Sequence, residues 1–253
     1  MQQSVTVGKE ADARQIAVIS REGKGPPVVW LGGFKSDMRA TKAGAIDAWA
    51  EKNGRAFLRF DYSGHGESGG DFEEGTISRW LEEALAVMER HLNEHPILVG
   101  SSMGGWISLL VARYLIEKRP ALAPVGIVLI APATDMTEKL MWDRFPESLR
   151  RGLEETGVYY RPSAYSEDPY PITKKLIEDG RRHLLLGQPI QTGCPVHILQ
   201  GMEDPDVPWS HALQLMERLP GDSVSLTLIK DGDHRLSRDE DLERLIGAIE
   251  AIA

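Results

Sequence analysis

The chain has 253 residues, 42% of them hydrophobic, a length and composition that fit one large α/β domain with ample material for a core. Its formal charge of −9, with no basic block, argues against a nucleic-acid or anionic-membrane partner. A single cysteine, Cys194, excludes an internal disulfide and fits a reducing compartment.

The first residues, Met1-Gln2-Gln3-Ser4-Val5-Thr6, show neither an apolar h-region nor an Arg/Ser-rich transit pattern. No apolar run reaches ~18 residues, so a cytoplasmic protein without stable membrane insertion is expected. Residues 5–7 and 15–20 are β-prone and are expected to pair antiparallel. Pro27-Val28-Val29-Trp30-Leu31 is almost continuously apolar, as buried parallel strands are, and stops at Gly32-Gly33-Phe34. A helix follows over 41–52, with Ala45, Ile46 and Trp49 on one face, then a strand over 55–62. Past a glycine loop comes a helix from 77 to about 92.

Ile97-Leu98-Val99-Gly100-Ser101-Ser102-Met103-Gly104-Gly105-Trp106 then organises the chain. An apolar strand runs into G-x-S-x-G and straight into a helix that ends near 118, the context a nucleophile elbow demands. A serine at the tip of so tight a turn has a strained backbone, and glycines two residues either side remove Cβ atoms that would clash. The turn exposes the Ser102 hydroxyl and leaves the Met103 N–H at a helix start, suited to a developing oxyanion.

Residues 125–130 form another apolar strand. From 134 to 193 the rhythm breaks into a helical but proline-interrupted stretch, too long for a simple connection. It reads as a helical cap inserted into a single domain spanning 1–253. Strands at 195–200 and 224–230 and helices at 210–219 and 237–252 complete the pattern. Strands alternating with helices imply a mainly parallel sheet covered on both faces, with reactive groups on loops at strand carboxyl ends.

That rule selects His234, directly after the last strand, as the base. His91 and His95 read as cations at a helix C-terminus, and their spacing lacks the H-E-x-x-H frame of a zinc site. His197 lies in a strand, His183 and His211 at surface positions, and His65 packs a loop. In the loop after Leu199, Glu203, Asp204 and Asp206 compete as the acid. Asp204 is preferred because the turn closed by Val207-Pro208 would fold it back toward His234. The order Ser…Asp…His suits this sheet topology. The second oxyanion donor is expected from Gly32-Gly33-Phe34, at the Phe34 N–H. Gly64-His65-Gly66-Glu67-Ser68-Gly69 matches G-x-G-x-x-G, but more acidic loop follows where a dinucleotide site needs a helix. Met136, Leu140, Met141, Trp142 and Phe145 place large apolar groups on roughly one side of a cap helix. They would line an adaptable acyl pocket, or simply pack the cap onto the sheet.

With these residues in hand, the chain resembles the α/β-hydrolase-fold serine hydrolases along nearly its whole length. Arg59-Phe60-Asp61-Tyr62-Ser63-Gly64, the elbow, Tyr165-Ser166-Glu167, Asp206-Val207-Pro208-Trp209 and Asp233-His234-Arg235 carry a closer similarity. They resemble the mitochondrial palmitoyl-protein thioesterase and acyl-glucuronide esterase subfamily. The resemblance implies Ser102 as nucleophile, Asp204 as acid and His234 as base, acting on a small-molecule ester or an acylated protein without metal or organic cofactor. A broad carboxylesterase or lactonase shares these motifs. A non-catalytic binding protein on this fold would be expected to lack a triad member.

Overall fold

The computed structural model describes residues 2–162, 169–221 and 223–252; the stretch Tyr165-Ser166-Glu167 lies outside them. Strand β1 (Gln2–Val7) pairs antiparallel with β2 (Arg14–Arg21). The chain continues through β3 (Lys24–Leu31), α1 (Thr41–Asn53), β4 (Arg55–Phe60), α2 (Ile77–His91), β5 (Ile97–Ser101), α3 (Met103–Lys118) and β6 (Gly126–Ile130). After the cap come β9 (Val196–Gly201), α6 (Trp209–Glu217), β10 (Val224–Ile229) and α7 (Asp239–Glu250). The eight-stranded sheet has the order β1-β2-β4-β3-β5-β6-β9-β10, parallel from β4 to β10.

The unbroken apolar run of β3 is explained by burial on both faces. Val29 and Leu31 join the core under α2 and α3, whereas Val28 and Trp30 join the core under α1 and α7. In α1 the buried stripe is Ala43, Ile46 and Ala50. Ala45 is only half-buried, one position off the stripe that was expected.

The cap departs from a purely helical segment. Residues Thr137–Met141 form a π turn and Trp142–Arg144 a 3₁₀ turn, followed by α4 (Glu147–Thr156). Gly157, at φ 81°, ends α4. An antiparallel hairpin of β7 (Val158–Arg161) and β8 (Tyr170–Thr173) comes next, before α5 (Lys174–Gly180). Val158-Tyr159-Tyr160 and Tyr170-Pro171-Ile172-Thr173 are rich in β-branched and aromatic residues, which favour a strand in this setting.

The cap is tied down by buried polar groups. The Asp135 carboxylate accepts from Leu185 N–H at 2.8 Å and Leu186 N–H at 2.9 Å. His211 and His183 are not surface residues: His211 is buried and donates to the Thr134 carbonyl, and half-buried His183 donates to Ser78 Oγ at 2.7 Å. Burial lowers the pKa of both. His91 ends α2, but burial lowers its pKa and so opposes the cation expected there. His95 lies beyond the helix and donates to the Ala123 carbonyl at 2.8 Å.

Candidate active site

Ser102 sits between β5 and α3 with φ 53° and ψ −117°, a conformation that L residues rarely adopt. The flanking glycines are there for steric reasons. A Cβ on Gly100 would lie 2.3 Å from the Gly104 carbonyl oxygen, and one on Gly104 would lie 2.0 Å from the Leu31 carbonyl oxygen. The turn is stapled to β6 by Ser102 N–H donating to the Ile130 carbonyl at 2.8 Å.

The loops after β9 and β10 meet because both are built on glycine. A Cβ on Gly201 would sit 2.3 Å from the Gly232 carbonyl oxygen, and Glu203 N–H donates to that same oxygen at 2.9 Å. This contact carries Asp204 and His234 together. The Asp204 side chain is wholly buried, and its Oδ2 accepts from His234 Nδ1–H at 2.8 Å. Its Oδ1 accepts from the N–H groups of Asp206 and Val207, both at 2.8 Å, which is the fold-back expected of this turn. Gln200, which the sequence did not single out, is buried and donates to Asp204 Oδ2 at 3.2 Å. The far nitrogen of the imidazole, His234 Nε2, lies 3.1 Å from Ser102 Oγ. Hydroxyl, imidazole and carboxylate form one hydrogen-bonded chain, in which a proton leaving Oγ has an acceptor and the resulting imidazolium has a buried counter-charge.

Met103 opens α3, so its N–H is one of the helix's four donors without an intrahelical acceptor. The loop bearing Phe34 passes close to the serine: a Cβ on Gly33 would be 3.4 Å from Ser102 Cβ. Asp61 holds this loop, accepting from Met38 N–H at 2.6 Å and from Glu67 N–H at 2.8 Å. The glycine loop serves that carboxylate, since a Cβ on Gly66 would collide with Asp61 at 2.1 Å. His65 packs among Tyr62, Phe72 and Trp80, the loop-packing position expected for it.

Ser102 and His234 open onto a cavity of about 440 Å³ beneath the cap. Phe34, Met136, Leu140, Met141 and Phe145 line it. Trp142 does not. The wide π turn before it rotates its ring out of the 3.6-residue projection, and the Arg150 and Arg181 guanidiniums both lie over the ring, at 5.4 and 4.9 Å. The lining also includes Arg144, Arg161, Tyr170 and Ile172, which sequence reading missed. These come from the hairpin and from the end of the 3₁₀ turn. Arg161 pairs with Asp206 Oδ1 at 2.9 Å, tying the cap to the loop of Asp204. A second, polar cleft of about 290 Å³ also opens on Ser102 and His234.

Asp204, Asp206 and His234 offer ligand atoms within 4.8 Å of one another. Both Asp204 oxygens already accept hydrogen bonds and Asp206 is held by Arg161, so a cation there would have to displace these donors.

A family model described as the alpha/beta hydrolase family matches residues 28–248. Human palmitoyl-protein thioesterase ABHD10, mitochondrial, is 35% identical over 240 residues, covering 94% of this chain and 76% of its own length. The structure of alpha/beta hydrolase domain-containing protein 10 from mouse superposes with a TM-score of 0.88 at 32% identity, covering 100% of this chain and 98% of that one. A crystal structure from Agrobacterium vitis S4 superposes with a TM-score of 0.97 at 50% identity, over 100% and 98% of the two chains. Matched over most of its length by the family model and by these relatives, the chain belongs to the α/β-hydrolase family.

Proposed function

We propose that the protein is a serine hydrolase that transfers an acyl group from a thioester or carboxylic ester to water, through Ser102, His234 and Asp204. One observation carries this reading: the 3.1 Å and 2.8 Å hydrogen-bond chain from a strained, strand-end serine to a buried carboxylate. In the proposed mechanism Ser102 Oγ attacks the acyl carbonyl while His234 Nε2 takes its proton. Asp204 holds the imidazole tautomer and stabilises the imidazolium. The N–H groups of Met103 and Phe34 hold the oxyanion. The C–S or C–O bond then breaks, the leaving group takes the proton from His234, and water repeats the sequence on the acyl-enzyme. No step calls for a metal or organic cofactor.

Met136, Leu140, Met141 and Phe145 are read as the acyl site, and the similarity to palmitoyl-protein thioesterase ABHD10 favours a thioesterase acting on an acylated protein over a small-molecule ester. Arg144 and Arg161 at the cavity favour a second reading, a carboxylesterase for shorter, polar acyl groups. Residues 1–253 are treated as one domain with the cap as an insertion. Among the described residues no helix is long and apolar enough to cross a membrane. A cytoplasmic site is proposed because a sequence with one cysteine fits a reducing compartment, although the ABHD10 relatives are named mitochondrial; fractionation of the native host checks it.

The deciding experiment is hydrolysis of matched thioesters and oxyesters over an acyl series, with fluorophosphonate labelling of wild type and Ser102→Ala. Labelling confined to the wild type is expected. Equal labelling of both, or none of either, removes the serine-hydrolase reading.

A further inference from the structure

Two cavities meet at Ser102 and His234, and they differ in chemistry. The one beneath the cap is lined by Met136, Leu140, Met141 and Phe145 and suits an acyl chain. The other is bounded, among the described residues, by Lys35, Lys42, Arg235 and Ser237, with Asp37 the one carboxylate among them. In a chain of net charge −9, a described lining beside the nucleophile that carries three basic side chains and one carboxylate stands against the global balance.

Lys42 is the telling residue. It lies in the first turn of α1, where the helix dipole disfavours a cation, and no side chain caps that end. Its ammonium donates to the Arg235 carbonyl and lies 3.4 Å from Ser237 Oγ. Burial first, and then the Arg235 charge, push its pKa down to about 8, with Asp233 and Asp241 offsetting part of this. Among the described residues neither Lys42 nor Lys35 has a carboxylate within ion-pair distance, and Lys35 instead lies over the Phe72 ring at 4.9 Å. A cation held against burial, like charge and dipole breaks local rules in a way that functional sites do. An anion in the cleft would reverse all three penalties.

We propose that this cleft receives a phosphate carried by the leaving group, so that the favoured substrates are acyl thioesters of a phosphorylated thiol. This rests on the serine-hydrolase reading above. The leaving group must lie near His234, which gives it a proton as the C–S bond breaks, and His234 borders this cleft. The phosphate itself takes no part in bond making. A phosphomonoester carries ≈ −1.5 to −2 at neutral pH, which matches the lining better than a single carboxylate does.

The test compares decanoyl thioesters of pantetheine, 4′-phosphopantetheine and O-succinylpantetheine, which share the thiol and differ only in the distal group. The phosphorylated thioester is expected to have a kcat/KM ~10-fold or more above the neutral one, the scale of one or two charge-assisted hydrogen bonds. Lys42→Gln and Lys35→Gln are each expected to bring that ratio toward one. Lys35 is exposed, so its variant keeps the test valid if Lys42→Gln fails to fold. Equal rates on the phosphorylated and neutral thioesters overturn the subsite while leaving the hydrolase reading intact. An equal gain from the succinyl group overturns the phosphate assignment. Hydrolysis of none of the three overturns the hydrolase reading and the subsite with it.

Discussion

Asp204 and His234 meet at 2.8 Å with the carboxylate fully buried, whereas Asp206, two residues further on, turns to Arg161 of the cap. The same loop thus presents two carboxylates to different partners. Asp204→Asn is expected to lower kcat by several powers of ten, ~10⁴ in the protease precedent, because an amide cannot stabilise the imidazolium. Asp206→Asn breaks a partly exposed ion pair worth under ~1 kcal/mol, so its effect should be less than ~10-fold. Steady-state kinetics on a p-nitrophenyl ester check the pair, and the reverse order would reassign the acid.

The strand ends were legible in the sequence because parallel strands buried on both faces read as apolar runs, and the elbow glycines announce a turn. The positions of Met103, Phe34 and the three hydrogen-bonded residues follow from those ends. The fold-back of Asp204 was legible because an aspartate two residues before Asp206 and three before Val207 can accept from their N–H groups. The cap was not legible in the same way. A π turn shifts the helical projection, so Trp142 left the pocket although Met136, Leu140, Met141 and Phe145 entered it. Arg144 and Arg161 join the cavity through a turn and a hairpin, and tertiary folding alone brings them to it. The burial of His183 and His211 depends on the cap packing over α2 and α6, and no local pattern encodes that.

Gly104 is expected to be intolerant of any side chain. A Cβ there meets the carbonyl oxygens of Leu31 and Gly32 at 2.0 and 2.6 Å, both backbone atoms. Gly104→Ala should therefore destabilise by about 3 kcal/mol or more and lower kcat by shifting the Phe34 loop. Gly152, in α4 with open space around it, gives the opposite sign: Gly152→Ala should stabilise by about 0.5–1 kcal/mol. Urea denaturation of the two variants decides, and equal effects would contradict the steric account.

His65 makes stability depend on pH. Burial holds its pKa near 4 in the fold, against an ordinary 6.5. Above 6.5 it is neutral in both states and its contribution is complete. Between 6.5 and 4 only the unfolded chain takes up the proton, so stability falls as pH falls. The loss attributable to this residue is on the order of 2–3 kcal/mol by pH 4.5. Subtracting the urea stability of His65→Phe from that of wild type at pH 7 and 4.5 isolates it from the carboxylates. A difference that does not change with pH would show that His65 is not held neutral.

The cavity proposed to hold the acyl chain should be read out by chain length. Met136, Leu140, Met141 and Phe145 line it, so each added methylene that reaches them should contribute at most ~0.8 kcal/mol, about a fourfold rise in kcat/KM. The rise is expected to continue through medium and long chains, for thioesters and activated oxyesters alike. Phe145→Ala removes a wall of the cavity and should flatten the rise. Trp142→Phe should leave its slope unchanged, because that ring meets the Arg150 and Arg181 guanidiniums and does not line the cavity. A profile that peaks at acetyl and falls steadily would favour the small-ester carboxylesterase. A slope that responds to Trp142→Phe and not to Phe145→Ala would mean that the acyl chain runs along a different face of the cap.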